Sequence, residues 1–317
     1  MLGATGTIGQ ATAKALVRRG HEVTCIIRLR SNKGTNRTLS DLESDLPGTR
    51  LRIADISDPK ALAEDGFRGD TYDAVVSCLA SRTGTRKDAK KIDYQANLNA
   101  LNLAKRLGVA HMVLLSAICV QKPKLAFQEE KLAFEAELIG SGLTYSIVRP
   151  TAFFKSLSGQ IDRVKSGKPY LIFGDGALTA CKPISDDDLA AFLADCLEDE
   201  SLQNKILPIG GPGPAITPKD QGAFLFSLLG EPARFRSVTP NLLKWIGGGL
   251  SIASRLFPPL SARAEYARIG HYYATESMLA LDPDTGEYSE ALTPSTGSET
   301  LFDHYRKLWV GSASDKA

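Results

Sequence analysis

Three glycines at the start of the chain limit its fold more than any other feature. Gly3, Gly6 and Gly9 stand three residues apart, and a helical pattern begins directly after them. In a dinucleotide-binding turn, one glycine makes the tight turn, one admits the pyrophosphate and one lets the helix pack on the strand. Backbone N–H groups at the helix start then bind the phosphates. The spacing predicts a dinucleotide site made of Gly3, Thr5, Gly6, Thr7, Ile8 and Gly9.

The strand before this turn is short in the sequence. Only Met1 and Leu2 precede Gly3, whereas the fingerprint normally follows a buried strand of about five residues. We therefore expect the first strand to be largely missing from this chain.

Composition excludes several classes of protein. The chain has 317 residues, 43% of them hydrophobic, and a net charge of +2, which gives no signal for nucleic-acid binding. Its five cysteines are scattered without a Cys-x-x-Cys pair, which predicts a reducing compartment and no metal site. No signal peptide or apolar run of membrane-spanning length is found in the sequence.

Apolar patterning predicts an α/β fold with a doubly wound parallel sheet, because strands and helices alternate at the pace of βαβ units. The predicted strands are residues 22–27, 51–54, 74–79, 112–116 and 144–148, and the predicted helices include 8–19, 93–107 and 131–139.

Residues at the ends of these strands indicate the cofactor. NAD-binding sites usually carry an acid about 20 residues past the glycines, but this chain has Arg28 there. A guanidinium binds a 2′-phosphate that an acid would repel, so Arg28 favours NADPH. Arg30 and Lys33 are interpreted as solvated loop charges. We expect Asp55 to touch the adenine and Ala80 to run beside the cofactor.

Ser116, Lys131 and residues 142–150 resemble the short-chain dehydrogenase/reductase superfamily. In that family a serine ends the fifth strand and a Tyr-x-x-x-Lys pair follows on the next helix. The resemblance makes Lys131 and Ser116 the catalytic candidates, with Lys131 holding the nicotinamide ribose. Phe127 replaces the tyrosine and cannot donate a proton. This departure resembles the atypical branch that includes isoflavone-reductase-like enzymes.

The same resemblance implies a division of the chain and further contacts. An NADP-binding Rossmann-like domain would span residues 1–155. A smaller substrate lobe would span 156–317, with about 181–210 returning to the sheet. The turn at Pro150 would pass the nicotinamide, so Phe153 or Phe154 would pack on the ring or the substrate, with core packing as the alternative.

The most apolar segment is residues 242–260. Charges and three consecutive glycines interrupt it, so it is not predicted to span a membrane. Three uses stay open, namely covering a large apolar substrate, contacting a membrane surface peripherally, or packing as core.

The C-terminal block, residues 264–278 followed by 281–286 and 297–301, closely resembles the NADPH-dependent divinyl chlorophyllide 8-vinyl reductases of plants and phototrophic bacteria. The likeness covers essentially the whole chain. It implies reduction of the 8-vinyl group of a divinyl chlorophyllide, or a related magnesium porphyrin, to ethyl in chlorophyll or bacteriochlorophyll biosynthesis. A conjugated alkene has no carbonyl oxygen to protonate, which suits the missing tyrosine.

The resemblance also sets expectations for substrate and location. Phe127, Phe153, Phe154 and His271 are the candidate substrate contacts, with His271 a candidate axial ligand of the pigment's magnesium. The expected location is the cytoplasm of a phototrophic bacterium, with peripheral membrane contact open, or a plastid if the source is a plant or alga. Two other functions stay open, namely an atypical reductase of a small phenolic or isoprenoid substrate, and a non-catalytic NADP-sensing or assembly protein.

Overall fold

A computed structural model describes residues 1–28, 38–254, 257 and 260–314, without the side chains of 252, 253 and 311–314. Arg30 and Lys33 lie outside the described residues. The described chain forms two compact units. Unit 1 consists of Met1–Arg149 and Leu189–Leu207, and unit 2 of Pro150–Asp188 and Pro208–Ala317. The domain boundaries expected from the sequence stay a prediction.

Parallel strands carry the predicted cofactor site. The strands are β1 Thr24–Ile27, β2 Arg50–Ile53, β3 Ala74–Ser77, β4 His111–Leu115, β5 Thr144–Pro150, β6 Tyr170–Phe173, β7 Lys205–Ile209, β8 Phe235–Val238, β9 Ala280–Leu281 and β10 Tyr288–Ser289. Strands β3, β4, β5 and β7 lie in that order, and β1 pairs with β2. The pairs β1–β2, β3–β4 and β4–β5 are parallel, which confirms the predicted α/β sheet.

Leu2 joins the two parts of this sheet. It bridges Ile26 of β1 on one side and Ser77 of β3 on the other, both in parallel. Its N–H donates to the Val76 carbonyl at 2.8 Å, and its own carbonyl accepts from the Cys78 N–H at 3.0 Å. One residue thus takes the central position of the sheet, where a nucleotide-binding fold places its first strand.

Helices connect the strands. The α-helices are α1 Thr7–Arg18, α2 Leu39–Asp45, α3 Pro59–Ala61, α4 Arg86–Ala89, α5 Asn97–Arg106, α6 Ala126–Ile139, α7 Phe154–Leu157, α8 Ile161–Lys165, α9 Asp186–Glu198, α10 Pro218–Leu229, α11 Pro240–Ala253, α12 Leu260–Thr275 and α13 Leu301–Ser314. Segments Leu62–Phe67 and Lys90–Ala96 are π-helical, and Ile118–Gln121 and Glu200–Leu202 are 3₁₀-helical. The predicted helix 93–107 is therefore α-helical only from Asn97 onward.

The core of unit 1 lies on the parallel sheet. Leu2, Ile26 and Met112 pack with Phe134 and Leu138 of α6 in one buried cluster. This packing anchors α6 to the sheet and so positions the side chains that α6 carries at the ends of the strands.

A cavity of about 880 Å³ lies in unit 1 at the edge where β1, β2 and β3 begin. Its lining includes Met1, Thr24, Arg50 and Ala74. In a parallel doubly wound sheet the ligand binds at the opposite, carboxyl edge. The cavity is therefore separate from the predicted cofactor site.

Unit 2 has its own core and small sheets. Strands β6 and β8 are parallel, and β9 and β10 are antiparallel. Tyr305 of α13 and Phe226 of α10 are fully buried. The Tyr305 hydroxyl donates to the Leu157 carbonyl at 2.7 Å, which satisfies the polar end of this ring in the core.

Candidate cofactor and active site

The glycine turn has the geometry that a pyrophosphate requires. Gly3 has a φ of +77°, and a Cβ there would lie 2.6 Å from the Cys78 carbonyl oxygen. A Cβ on Gly9 would lie 2.1 Å from the Gly3 carbonyl oxygen, so α1 packs on the turn with no room for a side chain. Gly6 is the N-cap of α1, and it has no side chain that could accept a hydrogen bond from the N–H groups of the first turn. Exposed Thr5, Gly6 and Thr7 thus lie at a helix start suited to an anion.

Arg28 and Asp55 lie beyond the ends of β1 and β2. Both are exposed, and the two strands are paired in parallel. The Ser57 hydroxyl donates to Asp55 at 2.6 Å. That hydrogen bond lowers the pKa of Asp55, as do the charges of Lys91 and Arg28 to a lesser degree. Asp55 is therefore an ionised acceptor near Arg28, at the edge where the adenosine half of a dinucleotide binds.

Lys131 of α6 lies over the end of β3. Its ammonium is 3.1 Å from Asp93 Oδ1, and it donates to the Leu79 carbonyl at 3.5 Å. Lys131 is 8% exposed and Asp93 1% exposed, so the ion pair is buried. Ala80, which follows Leu79, is exposed. The structure thus places Lys131 beside the segment that follows β3, its cofactor role stays a prediction, and sequence reasoning did not single out Asp93.

Phe127 precedes Lys131 by one helical turn on α6 and is half-buried. Residues four apart on a helix share a face, so Phe127 holds the position of the usual tyrosine relative to Lys131. An aromatic ring is retained there, and no hydroxyl is present to donate a proton.

Ser116 forms a second buried polar group in unit 1. It is 5% exposed, and its hydroxyl donates to Glu135 Oε1 at 2.5 Å. Arg149 pairs with the same carboxylate through two nitrogens. Sequence reasoning missed Glu135, although it lies four residues after Lys131 on the same helical face. Because the single hydroxyl proton of Ser116 is bound to a carboxylate, only the oxygen lone pairs of Ser116 are available to a ligand.

The remaining site candidates lie in unit 2. Pro150 ends β5, and Phe153 pairs with Ile184 through a parallel bridge. Phe154 is 3% exposed and its ring lies 5.2 Å from that of His304, so Phe154 packs in the core of unit 2. Phe153 is half-buried. His271 lies in α12 and is also half-buried.

The chemistry of unit 1 fits a nicotinamide dinucleotide. The carboxyl edge of one parallel sheet carries a turn too tight for a Cβ at Gly3 or Gly9, a helix start suited to an anion, and a buried lysine. Among the described residues, no group of three or more histidine, cysteine, aspartate or glutamate side chains could hold a metal ion. In the same part of the chain, no helix is both long and apolar enough to cross a membrane.

The sequence is similar to those of known NAD(P)H-binding proteins and reductases. The family model for NAD(P)H-binding proteins matches residues 3–200. The chloroplastic divinyl chlorophyllide a 8-vinyl-reductase of Oryza sativa subsp. indica is 50% identical over 311 residues, covering 96% of this chain and 77% of that protein. The corresponding protein of Arabidopsis thaliana is 48% identical over 318 residues, covering 97% of this chain and 76% of that protein.

A solved structure extends the agreement to the fold. The crystal structure of isoflavone reductase aligns with a TM-score of 0.67 at 18% identity, covering 97% of each chain. This similarity and the matching family model confirm the predicted Rossmann-like architecture. With the match over most of its length to the curated reductases, the chain belongs to the divinyl chlorophyllide a 8-vinyl-reductase family, within the atypical branch of the short-chain dehydrogenase/reductase superfamily.

Proposed function

We propose that the protein reduces the 8-vinyl group of divinyl chlorophyllide, or a related divinyl magnesium porphyrin, to ethyl with NADPH, in chlorophyll or bacteriochlorophyll biosynthesis. The observation that carries the proposal is the 50% identity over 96% of the chain to a reductase named for this reaction. The glycine turn and the buried Lys131 support it, because they supply the two ends of a nicotinamide site.

The site suits addition of hydrogen to a conjugated alkene. NADPH held by the glycine turn and Lys131 would supply a hydride to the outer vinyl carbon. The negative charge would spread over the inner carbon and the macrocycle, and water or a nearby group would supply the proton that adds to the inner carbon. Lys131 orients the ribose, which is a positioning role. Phe127 in place of tyrosine is consistent with a reaction that protonates no carbonyl oxygen. Because its hydroxyl already donates to Glu135, Ser116 can only accept a hydrogen bond from a ligand.

The direct test mixes purified protein, NADPH and divinyl chlorophyllide, and follows the Soret band and the products by chromatography. We expect a blue shift and a monovinyl product. With NADPH carrying deuterium at both nicotinamide C4 positions, the label should enter the outer carbon of the new ethyl group. Label only on the inner carbon would contradict the proposed direction of addition, and no conversion with NADPH bound would contradict the function.

The preference for NADPH over NADH is assigned to Arg28. Its exposed guanidinium beyond β1 has the position and charge to bind a 2′-phosphate. Arg28→Glu should weaken NADPH binding about 10- to 100-fold, the loss expected for a charge-assisted hydrogen bond, and leave NADH binding nearly unchanged. Equal losses for both cofactors, measured by fluorescence titration, would show that Arg28 does not read the phosphate.

The pigment contacts are proposed for four side chains. Half-buried Phe127 and Phe153 would contact the pigment or the nicotinamide ring, and Phe154 would support Phe153 from the core of unit 2. His271 would bind the pigment's magnesium through a neutral imidazole nitrogen. His271→Ala should weaken pigment binding and change the absorption spectrum of the bound pigment. An unchanged spectrum and affinity would remove His271 from the site.

Peripheral membrane contact is proposed for the helices α11 and α12. Trp245 is 78% exposed and Phe257 63% exposed, with Leu242 and Ile246 also exposed. Within residues 240–275 the sequence has four basic residues, Lys244, Arg255, Arg263 and Arg268, and one acid, Glu265. Exposed aromatic and aliphatic side chains beside an excess of cations favour an anionic lipid surface.

Vesicle sedimentation tests this contact without any reaction. Wild-type protein should sediment with phosphatidylglycerol vesicles and less with phosphatidylcholine vesicles. Trp245→Ala should sediment less than the wild type with phosphatidylglycerol vesicles. A matched control is Trp309→Ala, because Trp309 lies in α13 rather than in α11 or α12. Failure of the wild-type protein to bind either vesicle would contradict membrane contact, and a pigment-binding defect of Trp245→Ala would identify the apolar surface as part of the pigment site.

The compartment is proposed from the relatives. Both plant reductases are named as chloroplastic. We place the protein where the pigment is made, which is a plastid in a plant or alga and the cytoplasm in a phototrophic bacterium. Immunoblotting of fractions from the source cell would test this, and recovery outside the pigment-synthesising compartment would contradict it.

A further inference from the structure

We propose that Asp93 is the positioning residue of the active-site lysine, holding the Lys131 ammonium where it meets the nicotinamide ribose. This inference rests on the proposed role of Lys131 in cofactor binding. Asp93 itself touches Lys131 rather than the cofactor, and neither the glycine turn nor the family motif includes it.

Three elements converge on the Asp93 carboxylate. Asp93 itself lies on the π-helical segment Lys90–Ala96. Its carboxylate meets Lys131 of α6 and the Ser81 N–H, which follows β3. Asp93 Oδ1 is 3.1 Å from Lys131 Nζ and 3.4 Å from the Ser81 nitrogen. The carboxylate therefore holds the ammonium against the strand end that runs beside the cofactor.

The backbone around Asp93 is fixed by a separate buried contact. The Asn97 amide donates to the Asp93 carbonyl at 3.0 Å, and the Ser77 hydroxyl donates to the Asn97 side-chain oxygen at 2.6 Å. Ser77 is the last residue of β3. These two hydrogen bonds link the wide π-helical turn to the end of β3. Turns of π-helix occur frequently at functional sites.

Other acids close to Lys131 in the sequence are paired elsewhere. Glu130 is 3.8 Å from Lys90, Glu129 is 3.4 Å from Arg86, and Glu135 binds Arg149 and Ser116. Asp93 is thus the acid that the fold provides for Lys131. Lys131 is 8% exposed, and burying an ammonium group costs free energy unless the group is paired.

Stability alone does not account for the pair. A buried ion pair is often no more stabilising than apolar side chains of similar volume. In addition, Asp93 Oδ2 is buried and has no hydrogen-bond partner among the described residues, which costs free energy. Features that cost local stability are expected at functional sites, so we assign the pair to positioning.

The test compares cofactor binding by Asp93→Asn and by the wild-type protein, using fluorescence titration with NADPH and calorimetry with adenosine 2′,5′-bisphosphate. Asparagine keeps the shape and removes the charge. We expect about 10- to 100-fold weaker NADPH binding. The bisphosphate lacks the nicotinamide ribose, so its binding should not change. Glu130→Gln, which removes another acid of a lysine–acid pair, should bind both ligands as the wild type does.

A double-variant comparison separates positioning from general destabilisation. If Asp93 acts through Lys131, Asp93→Asn should have no further effect on NADPH binding in a Lys131→Met background. If Asp93→Asn alone does not fold, the double variant, which leaves no buried unpaired charge, is compared with the wild type, and it should lose NADPH binding and keep bisphosphate binding. Unchanged NADPH binding by Asp93→Asn, equal losses for both ligands, or a further loss in the Lys131→Met background would each overturn the proposal.

Pigment is absent from these titrations, so the result is independent of the reaction. Wild-type protein that binds NADPH and fails to reduce divinyl chlorophyllide would contradict the proposed function and leave the assignment of Asp93 standing.

Discussion

Single residues decide the cofactor site through what they exclude as much as through what they contact. Gly9 has no side chain, so α1 can pack closely on the turn. Phe127 lacks the phenolic hydroxyl that donates a proton in ordinary family members. Ser116 has a hydroxyl group, but that hydroxyl donates its hydrogen bond to Glu135. None of these three residues offers a proton donor to a ligand, which is consistent with the proposed hydride transfer and the proposed positioning role of Lys131.

Gly9→Ala should show the cost of filling the turn. The added Cβ would lie 2.1 Å from the Gly3 carbonyl oxygen, and backbone atoms cannot yield as a flexible side chain can. We expect the free energy of unfolding in urea to fall by about 1–3 kcal/mol, as for an overpacked core, and NADPH binding to be lost. The control is Gly159→Ala, where no atom lies within 4 Å of the new Cβ. Wild-type NADPH affinity in Gly9→Ala would contradict the packing argument.

Secondary-structure elements follow local sequence signals at several ends. The Ser185 hydroxyl oxygen accepts from the Asp188 N–H at 3.0 Å and so caps the start of α9. Thr217 forms a capping box with Asp220 at the start of α10. The π-helical turn at Lys90–Ala96 had no such signal, because its widening depends on buried contacts to β3 and α6.

Thr217→Ala should destabilise the protein by about 1 kcal/mol, because the first turn of α10 loses its side-chain acceptor. Urea unfolding measures this loss. Thr217→Ser keeps the hydroxyl and should remain within a few tenths of a kcal/mol of the wild type. If the alanine and serine variants unfold at the same urea concentration, the capping box does not stabilise α10.

At the scale of the whole molecule, the pH dependence of stability reflects burial. His111 of β4 is 7% exposed and its ring lies 3.1 Å from the Ser146 hydroxyl, which donates to the Leu202 carbonyl. Burial lowers the pKa of His111 from its usual value. The unfolded chain therefore binds a proton at His111 at a higher pH than the folded chain does, so acid favours unfolding.

We expect stability to fall as the pH drops below about 6.5, the ordinary pKa of histidine, and to keep falling until the pH reaches the lowered pKa of the folded state. Above about pH 6.5 His111 contributes no pH dependence. Urea unfolding of the wild type and of His111→Gln between pH 5 and 8 measures the difference. The same decline below pH 6.5 in both proteins would show that His111 is not its source.

The sequence by itself determined the parts of this protein that depend on neighbouring residues. Glycines three apart dictate a turn that closes on its own backbone, Arg28 follows its strand directly, and Ser185 and Thr217 cap helices within three residues. The offset of Lys131 from Ser116 and from the next strand likewise predicts its cofactor role, which stays a prediction. Such signals act through short-range sterics and hydrogen bonds, which the order of residues already contains.

Only the tertiary structure decided the pairs that complete the site. Asp93 meets Lys131 and Arg149 meets Glu135 because the π-helical turn, α6 and β5 pack on the same sheet. Leu2 likewise takes its central place through parallel bridges to Ile26 of β1 and Ser77 of β3. Contacts between residues far apart in the chain depend on which faces the elements bury, and local patterns do not specify that choice.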